Sequence, residues 1–175
     1  MLPMTRFWRQ PICLAPRPLR PWLTARGSLT TRLRARFAGL RLTVLKQNEQ
    51  AAHDDEWQAL PLPRRETWVA TREVLLLDGA TPLVFAHSIA QRSSSNLLDR
   101  AGPHPLGALL FADRTLRRAP LAWRRIDSRH PLWRKARAAA GPLPIQLWAR
   151  RSLFHSGRNR LLVTEVFLPA IILPC

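Results

Sequence analysis

A chain of 175 residues is long enough to bury one substantial core and gives no cause for a second domain. With 46% hydrophobic residues and a mean hydropathy of −0.16 it is neither disordered nor membrane-spanning in composition, and no segment approaches the roughly 20 apolar residues that cross a bilayer. The net charge of +17 comes almost wholly from arginine, since Lys46 and Lys135 are the only lysines; its pairs are short and scattered, which speaks for solvated faces rather than a nucleic-acid-binding arm.

Residues 1–17 are rich in Pro and Arg without periodicity and read as a mobile or loosely docked leader, with the domain proper spanning 18–175. Prolines interrupt the opening stretch and no apolar run of signal-peptide length follows, so the expected location is the cytoplasm. Cys13 and Cys175, at opposite ends, make neither a disulfide framework nor a metal-ligand spacing.

Ser28 caps a predicted amphipathic helix whose stripe is Leu29, Leu33, Phe37 and Leu40. A strand over 41–50 turns polar and runs out into a loop over 51–66. Strands over 67–77 and 82–90 flank the Asp78-Gly79 turn signal, and a polar connection over 93–103 holds a helical turn near 96–100. A short helix over 105–111 and a strand over 115–126, irregular at Pro120, come next. Residues 132–140 read as a helix, and a hairpin pairs 145–154 with 161–168. About six strands with few helices, joined mostly by hairpins, predict a single α+β domain on an antiparallel sheet.

Alternation along the strands singles out two charges. Arg72 shares a face with Trp68, Ala70, Val74 and Leu76, and Glu165 shares one with Leu161, Val163 and Phe167. An ion in an apolar interior must pair, shift its pKa or face a ligand. Arg72 and Glu165 therefore form either a buried salt bridge or the two ends of a cavity for a small anion. Glu73 falls on the other face.

Several segments, in order, resemble the chorismate pyruvate-lyase family: residues 27–33 (GSLTTRL), 72–76 (REVLL), 105–107 (PLG) with Leu110-Phe111, 147–152 (LWARRS) and 162–169 (LVTEVFLP). The resemblance runs from about residue 18 to the C-terminus. It implies an antiparallel sheet with an internal pocket beneath helical flaps, no metal or organic cofactor, and a monomer that cleaves chorismate to 4-hydroxybenzoate and pyruvate at the entry to ubiquinone synthesis. In its terms Arg72 binds the ring carboxylate, Glu165 lies near the ring hydroxyl, and backbone groups at Leu29 and Leu106 complete the substrate site. Glu165 could donate a proton to the leaving oxygen or hydrogen-bond to the hydroxyl, while a concerted transfer of the ring proton would need no protein acid. The helix at 29–40 and the segment around Leu106 are the expected flaps, with product release limited by their opening. One departure stands out: Ala86-His87-Ser88 replaces a Gly-Arg-Thr usual in relatives, so His87 is the expected second cation for the substrate's side-chain carboxylate, charged only when protonated. The same fold also serves as the sensing domain of bacterial regulators, which leaves a binding module as one rival. A basic RNA- or membrane-associated protein is the other.

Overall fold

The computed structural model describes residues 8–60, 68–157 and 159–173. The expectations for the first seven residues of the leader, for 61–67, for Arg158 and for Cys175 fall outside them.

Among the described residues seven strands form one antiparallel sheet: β1 (Leu40–Ala51), β2 (Trp68–Asp78), β3 (Thr81–Ala90), β4 (Arg117–Arg118), β5 (Ala122–Asp127), β6 (Gln146–Ser156) and β7 (Asn159–Phe167). The order is β1-β2-β3-β7-β6, and β4 and β5 both pair with β6 on its outer edge. The α+β expectation holds, with one strand more than expected because the segment 115–126 divides into β4 and β5. Pro120, lacking an N–H, sits in the break between them. β1 stays paired through its polar second half, from Leu40↔Asp78 to Ala51↔Trp68, because an edge strand can leave polar side chains in water. Gly79 at the β2–β3 turn has φ +57, a conformation that favours glycine.

Six α-helices among the described residues cover the sheet: α1 (Arg20–Thr24), α2 (Leu29–Arg36), α3 (Asp54–Ala59), α4 (Asn96–Asp99), α5 (Leu106–Ala112) and α6 (Pro131–Ala140). α2 stops before Leu40 because Phe37 is already extended and Leu40 opens β1. The predicted loop over 51–66 holds α3, whose first turn carries Asp54, Asp55 and Glu56 beneath the helix's positive end.

On one face, Trp22, Leu23, Leu29 and Leu33 pack against Leu76, Val84, Trp148 and Phe167. Beside them Leu98, Leu106 and Leu110 cover Ala70, Ala90, Phe154 and Leu161. On the other face α6 lays Leu132, Trp133 and Ala136 on Leu75, Phe85, Ala149 and Val166, and Ala59 with Leu60 covers Val69, Ile89, Leu153 and Leu162. Each buried Leu, Ile, Val or Phe among them contributes about 1.5–3 kcal/mol by leaving water. Trp8, within the expected leader, is fully buried against this second face and donates from Nε1 to the Asp55 carboxylate at 3.0 Å. Among the described residues no helix is long and apolar enough to cross a membrane.

Candidate functional site

Strand register decides which side chains meet. Arg72 pairs with Ser88, Ser88 with Val163 and Val163 with Ser152; in the next row on the same face Val74, Ala86, Glu165 and Arg150 follow one another. Arg72 and Glu165 therefore face the same way, two strands and one side-chain step apart. At about 4.8 Å between strands and about 3.4 Å per residue, their Cα atoms lie roughly 12 Å apart. Their side chains line one cavity between the sheet and the helices α2 and α5, with about 60 Å³ of free space.

The two charges do not pair with each other. Arg72, 2% exposed, donates from Nη2 to the carbonyls of Gly102 and His104, each at 2.9 Å, and has no carboxylate partner among the described residues. Burial pulls its pKa down from the ordinary arginine value, and its Nε has no hydrogen-bond partner. Glu165 accepts instead from Arg150 Nε at 2.5 Å on Oε2. Arg150, with no exposed surface, also donates from Nη1 to the carbonyls of Trp22 and Ala25 at 2.6 and 2.9 Å, while its Nη2 is unpartnered. It thereby ties α1 to β6 and β7.

Arg118, which closes β4, is a third guanidinium on the cavity. Its Nε and Nη2 donate to Ser152 Oγ at 2.9 and 2.7 Å, its Nη1 donates to the Arg26 carbonyl, and Phe111 and Phe154 flank it with ring centroids at 5.3 and 5.5 Å. Burial, with the neighbouring charge of Arg150, pulls its pKa down to about 10, still far above neutrality. Three guanidiniums face one carboxylate, so the wall carries two positive charges in excess. Such a lining fits a dianion.

Leu29 and Leu106 are the first residues of α2 and α5, both line the cavity, and each lies in the first turn, whose N–H groups a helix leaves without an internal partner. The two helix starts touch. Ser28 Oγ accepts from the Thr31 N–H at 3.4 Å as the α2 cap and lies so close to Gly107 that a Cβ there would meet it at 3.2 Å.

The structure thus brings Arg72, Glu165, Leu29 and Leu106 together, and it corrects the expectation for His87. Ala86 and Ser88 line the cavity, and alternation sends His87 between them to the opposite face of the sheet. There it is 1% exposed and lies 3.1 Å from Glu56 and 3.2 Å from Glu73, remote from any ligand in the cavity. Arg118 and Arg150 are the residues that sequence reasoning missed. Arg150 was within reach: it shares a face of β6 with Trp148, Ser152 and Phe154, and is as foreign there as Arg72 is in β2. Arg118 sits in a two-residue strand with no pattern to read.

The family model described as chorismate lyase matches residues 2–173. A protein of Aromatoleum aromaticum named "Probable chorismate pyruvate-lyase" is 45% identical over 97% of this chain and 96% of its own length. Another of that name from Azoarcus sp. strain BH72 is 46% identical over 90% of this chain and 87% of its own. Among solved structures, PhnF from Mycobacterium smegmatis superposes with a TM-score of 0.60 at 16% identity, covering 83% of this chain and 65% of that one. The C-terminal domain of the histidine utilization repressor from Pseudomonas syringae pv. tomato gives 0.55 at 14%, covering 75% and 92%. These two likenesses concern the fold alone. With the family match over nearly its whole length and close relatives of matching size, the chain belongs to the chorismate lyase family.

Proposed function

We infer that the protein is a lyase that converts chorismate into 4-hydroxybenzoate and pyruvate. The observation that carries this reading is the cavity's two excess positive charges, with buried donors on Arg72 and Arg150 lacking partners. Chorismate is a dianion that supplies two carboxylates. Buried donors in native proteins nearly always have partners, so unpartnered ones lining a cavity mark where a ligand's acceptors go.

Arg72 receives the ring carboxylate, oriented by its bonds to the Gly102 and His104 carbonyls. At the other end Glu165, held through Oε2 by Arg150, offers Oε1 as acceptor to the ring hydroxyl. Arg118 is suited to the enolpyruvyl carboxylate, the role that the resemblance alone would give to His87. The reaction breaks the ether C–O bond and removes a ring proton; the enolpyruvyl methylene gains a proton to become pyruvate, and the ring becomes aromatic. Aromatisation drives it, so the protein's part is to hold a dianion in one orientation, exclude water and match its charges. A Glu165 engaged by Arg150 serves as an acceptor rather than a proton donor, which favours direct passage of the ring proton to the methylene. We place this activity in the cytoplasm, in a monomer, at the entry to ubiquinone synthesis.

The test is to follow 4-hydroxybenzoate formation from chorismate by ultraviolet absorbance. Arg72→Ala should lower kcat/KM chiefly through KM, by roughly 10- to 150-fold for the loss of charge-assisted bonds worth about 1.5–3 kcal/mol. Glu165→Ala should act mainly on kcat. Chorismate binding without turnover in the unaltered protein would favour a sensing module instead.

A further inference from the structure

The face of the sheet turned away from the cavity carries a row of polar side chains, Glu73, His87, Thr164 and Arg151, on four neighbouring strands. α3 lies over it. His53 Nδ1 is 3.1 Å from Glu56 Oε2, and His87 Nε2 is 3.1 Å from Glu56 Oε1. The three ligand atoms lie within 4.8 Å of one another, and the two imidazoles stack at 5.6 Å with 17° between their planes. Glu56 and His87 are each 1% exposed.

Three buried atoms here lack a hydrogen bond of acceptable geometry: His53 Nδ1, Glu56 Oε1 and His87 Nε2. The His53 ring sits over the first turn of α3 in a capping box, with Glu56 Oε2 accepting from the His53 N–H at 3.0 Å. Each imidazole nitrogen has a Glu56 oxygen at ion-pair distance but no well-aligned hydrogen bond, and three ligand-type atoms that converge in this way suit a shared partner. On the far side of the His87 ring, Glu73 Oε1 lies 3.2 Å from Nδ1 and is itself held by Lys135 at 2.5 Å. A carboxylate at Nδ1 fixes the proton there and aims the lone pair of Nε2 at Glu56, the outer-shell arrangement typical of metal-bound histidines.

We propose that His53, Glu56 and His87 bind a zinc ion, through Nδ1, the carboxylate and Nε2 respectively, and that this ion pins α3 to the sheet. Tetrahedral zinc with bonds of about 2.0–2.1 Å separates its ligand atoms by about 3.3 Å; here each imidazole nitrogen lies 3.1 Å from one of the two Glu56 oxygens, and the three ligand atoms fall within 4.8 Å of one another. Two imidazoles and a carboxylate suit zinc better than magnesium or calcium, which take oxygen ligands. The side chain of His53 is 16% exposed at the edge of a surface hollow shared with Asp54, Asp55 and His130, which gives entry to the ion and a place for a water as fourth ligand. The substrate cavity, on the other side of the sheet, is independent of this site. A protonated His87 bridging Glu56 and Glu73 would make similar contacts without an ion, and it is the outcome that opposes the proposal.

The experiment uses the full chain, stripped with a chelator and titrated with Zn²⁺ by calorimetry and with Co²⁺ by visible absorption. One equivalent should bind, Co²⁺ should show the intense bands of four-coordinate geometry, and Zn²⁺ should raise Tm. His53→Asn removes the imidazole but keeps a residue preferred at a helix N-cap, so the fold should persist. Its affinity for Zn²⁺ should fall by more than the roughly 10- to 100-fold that follows loss of an outer-shell partner. Equal affinity in His53→Asn and the unaltered protein would overturn the proposal, because a surface histidine would then be the ligand. Absent or weak octahedral Co²⁺ absorption in the unaltered protein would overturn it whatever the variants do.

Discussion

Arg118 shows how one side chain sets the chemistry of the cavity. It lines the wall without a carboxylate partner among the described residues, yet its orientation is fixed by Ser152, the Arg26 carbonyl and two aromatic rings. Arg118→Ala should raise KM for chorismate by roughly tenfold or more and leave kcat less affected, as expected when a charge-assisted contact worth at least about 1.5 kcal/mol is lost. Steady-state rates over a range of chorismate concentrations check this. The pH dependence separates arginine from histidine as the second cation. With a pKa of about 10, Arg118 keeps its charge as pH rises through neutrality, so KM should stay flat between about pH 6 and pH 8.5. Were His87 that cation, burial would lower its pKa and Glu56 and Glu73 would more than offset this, so it would lose its charge only above the ordinary histidine value, and KM would climb as pH rose through that point.

Arg150 differs from Arg118 in holding a carboxylate, that of Glu165, beside two backbone carbonyls. Removing it would leave Glu165 and the carbonyls of Trp22 and Ala25 without their donor, and breaking one side of a buried ion pair costs about 3–5 kcal/mol. Arg150→Ala should therefore unfold at markedly lower urea, whereas Arg118→Ala should not.

At the scale of elements, the starts of α2 and α5 cover the cavity. Ser28 Oγ and Gly107 face each other across that seam. A methyl at Gly107, 3.2 Å from the hydroxyl, should wedge the two helices apart and speed release of 4-hydroxybenzoate several-fold; Ser28→Ala in the same chain should restore the slow rate by removing the opposing oxygen. Stopped-flow displacement of bound 4-hydroxybenzoate measures both. Ser28→Ala alone loses a helix cap and should lower stability by about 1 kcal/mol. The contrast with α3 is physical. α2 and α5 cover a cavity, while α3 carries the buried Glu56 onto a polar row of the sheet.

At the scale of the whole molecule, two layers of helices sandwich a sheet whose faces have different work: one encloses the substrate cavity, the other is packed shut. Of the chain preceding α1, Ala15 and Leu19 pack on the cavity side with Trp22, while Trp8 reaches the other face, its ring lying 4.2 Å from the Arg151 guanidinium carbon. Trp8→Ala should cost about 3–5 kcal/mol, measured by urea unfolding, although the residue is far from the cavity.

Much of this was legible in the residues themselves. Alternation within β2 and β7 marked Arg72 and Glu165 as misplaced charges, because the period of two is a local property of an extended chain. The cap at Ser28 and the hairpin signals are local in the same sense, and the resemblance supplied the flaps at Leu29 and Leu106. Tertiary structure alone decided how the strands were set against one another, and a slip of one residue would exchange the two faces of a strand. The β2–β3 register, shifted by an irregularity beside Leu76, puts Ala86 and Ser88 in the cavity and turns His87 away from it. The docking of two-residue β4 on the edge of β6 brings in Arg118. Both depend on contacts between distant parts of the chain, where periodicity within a single segment carries no information.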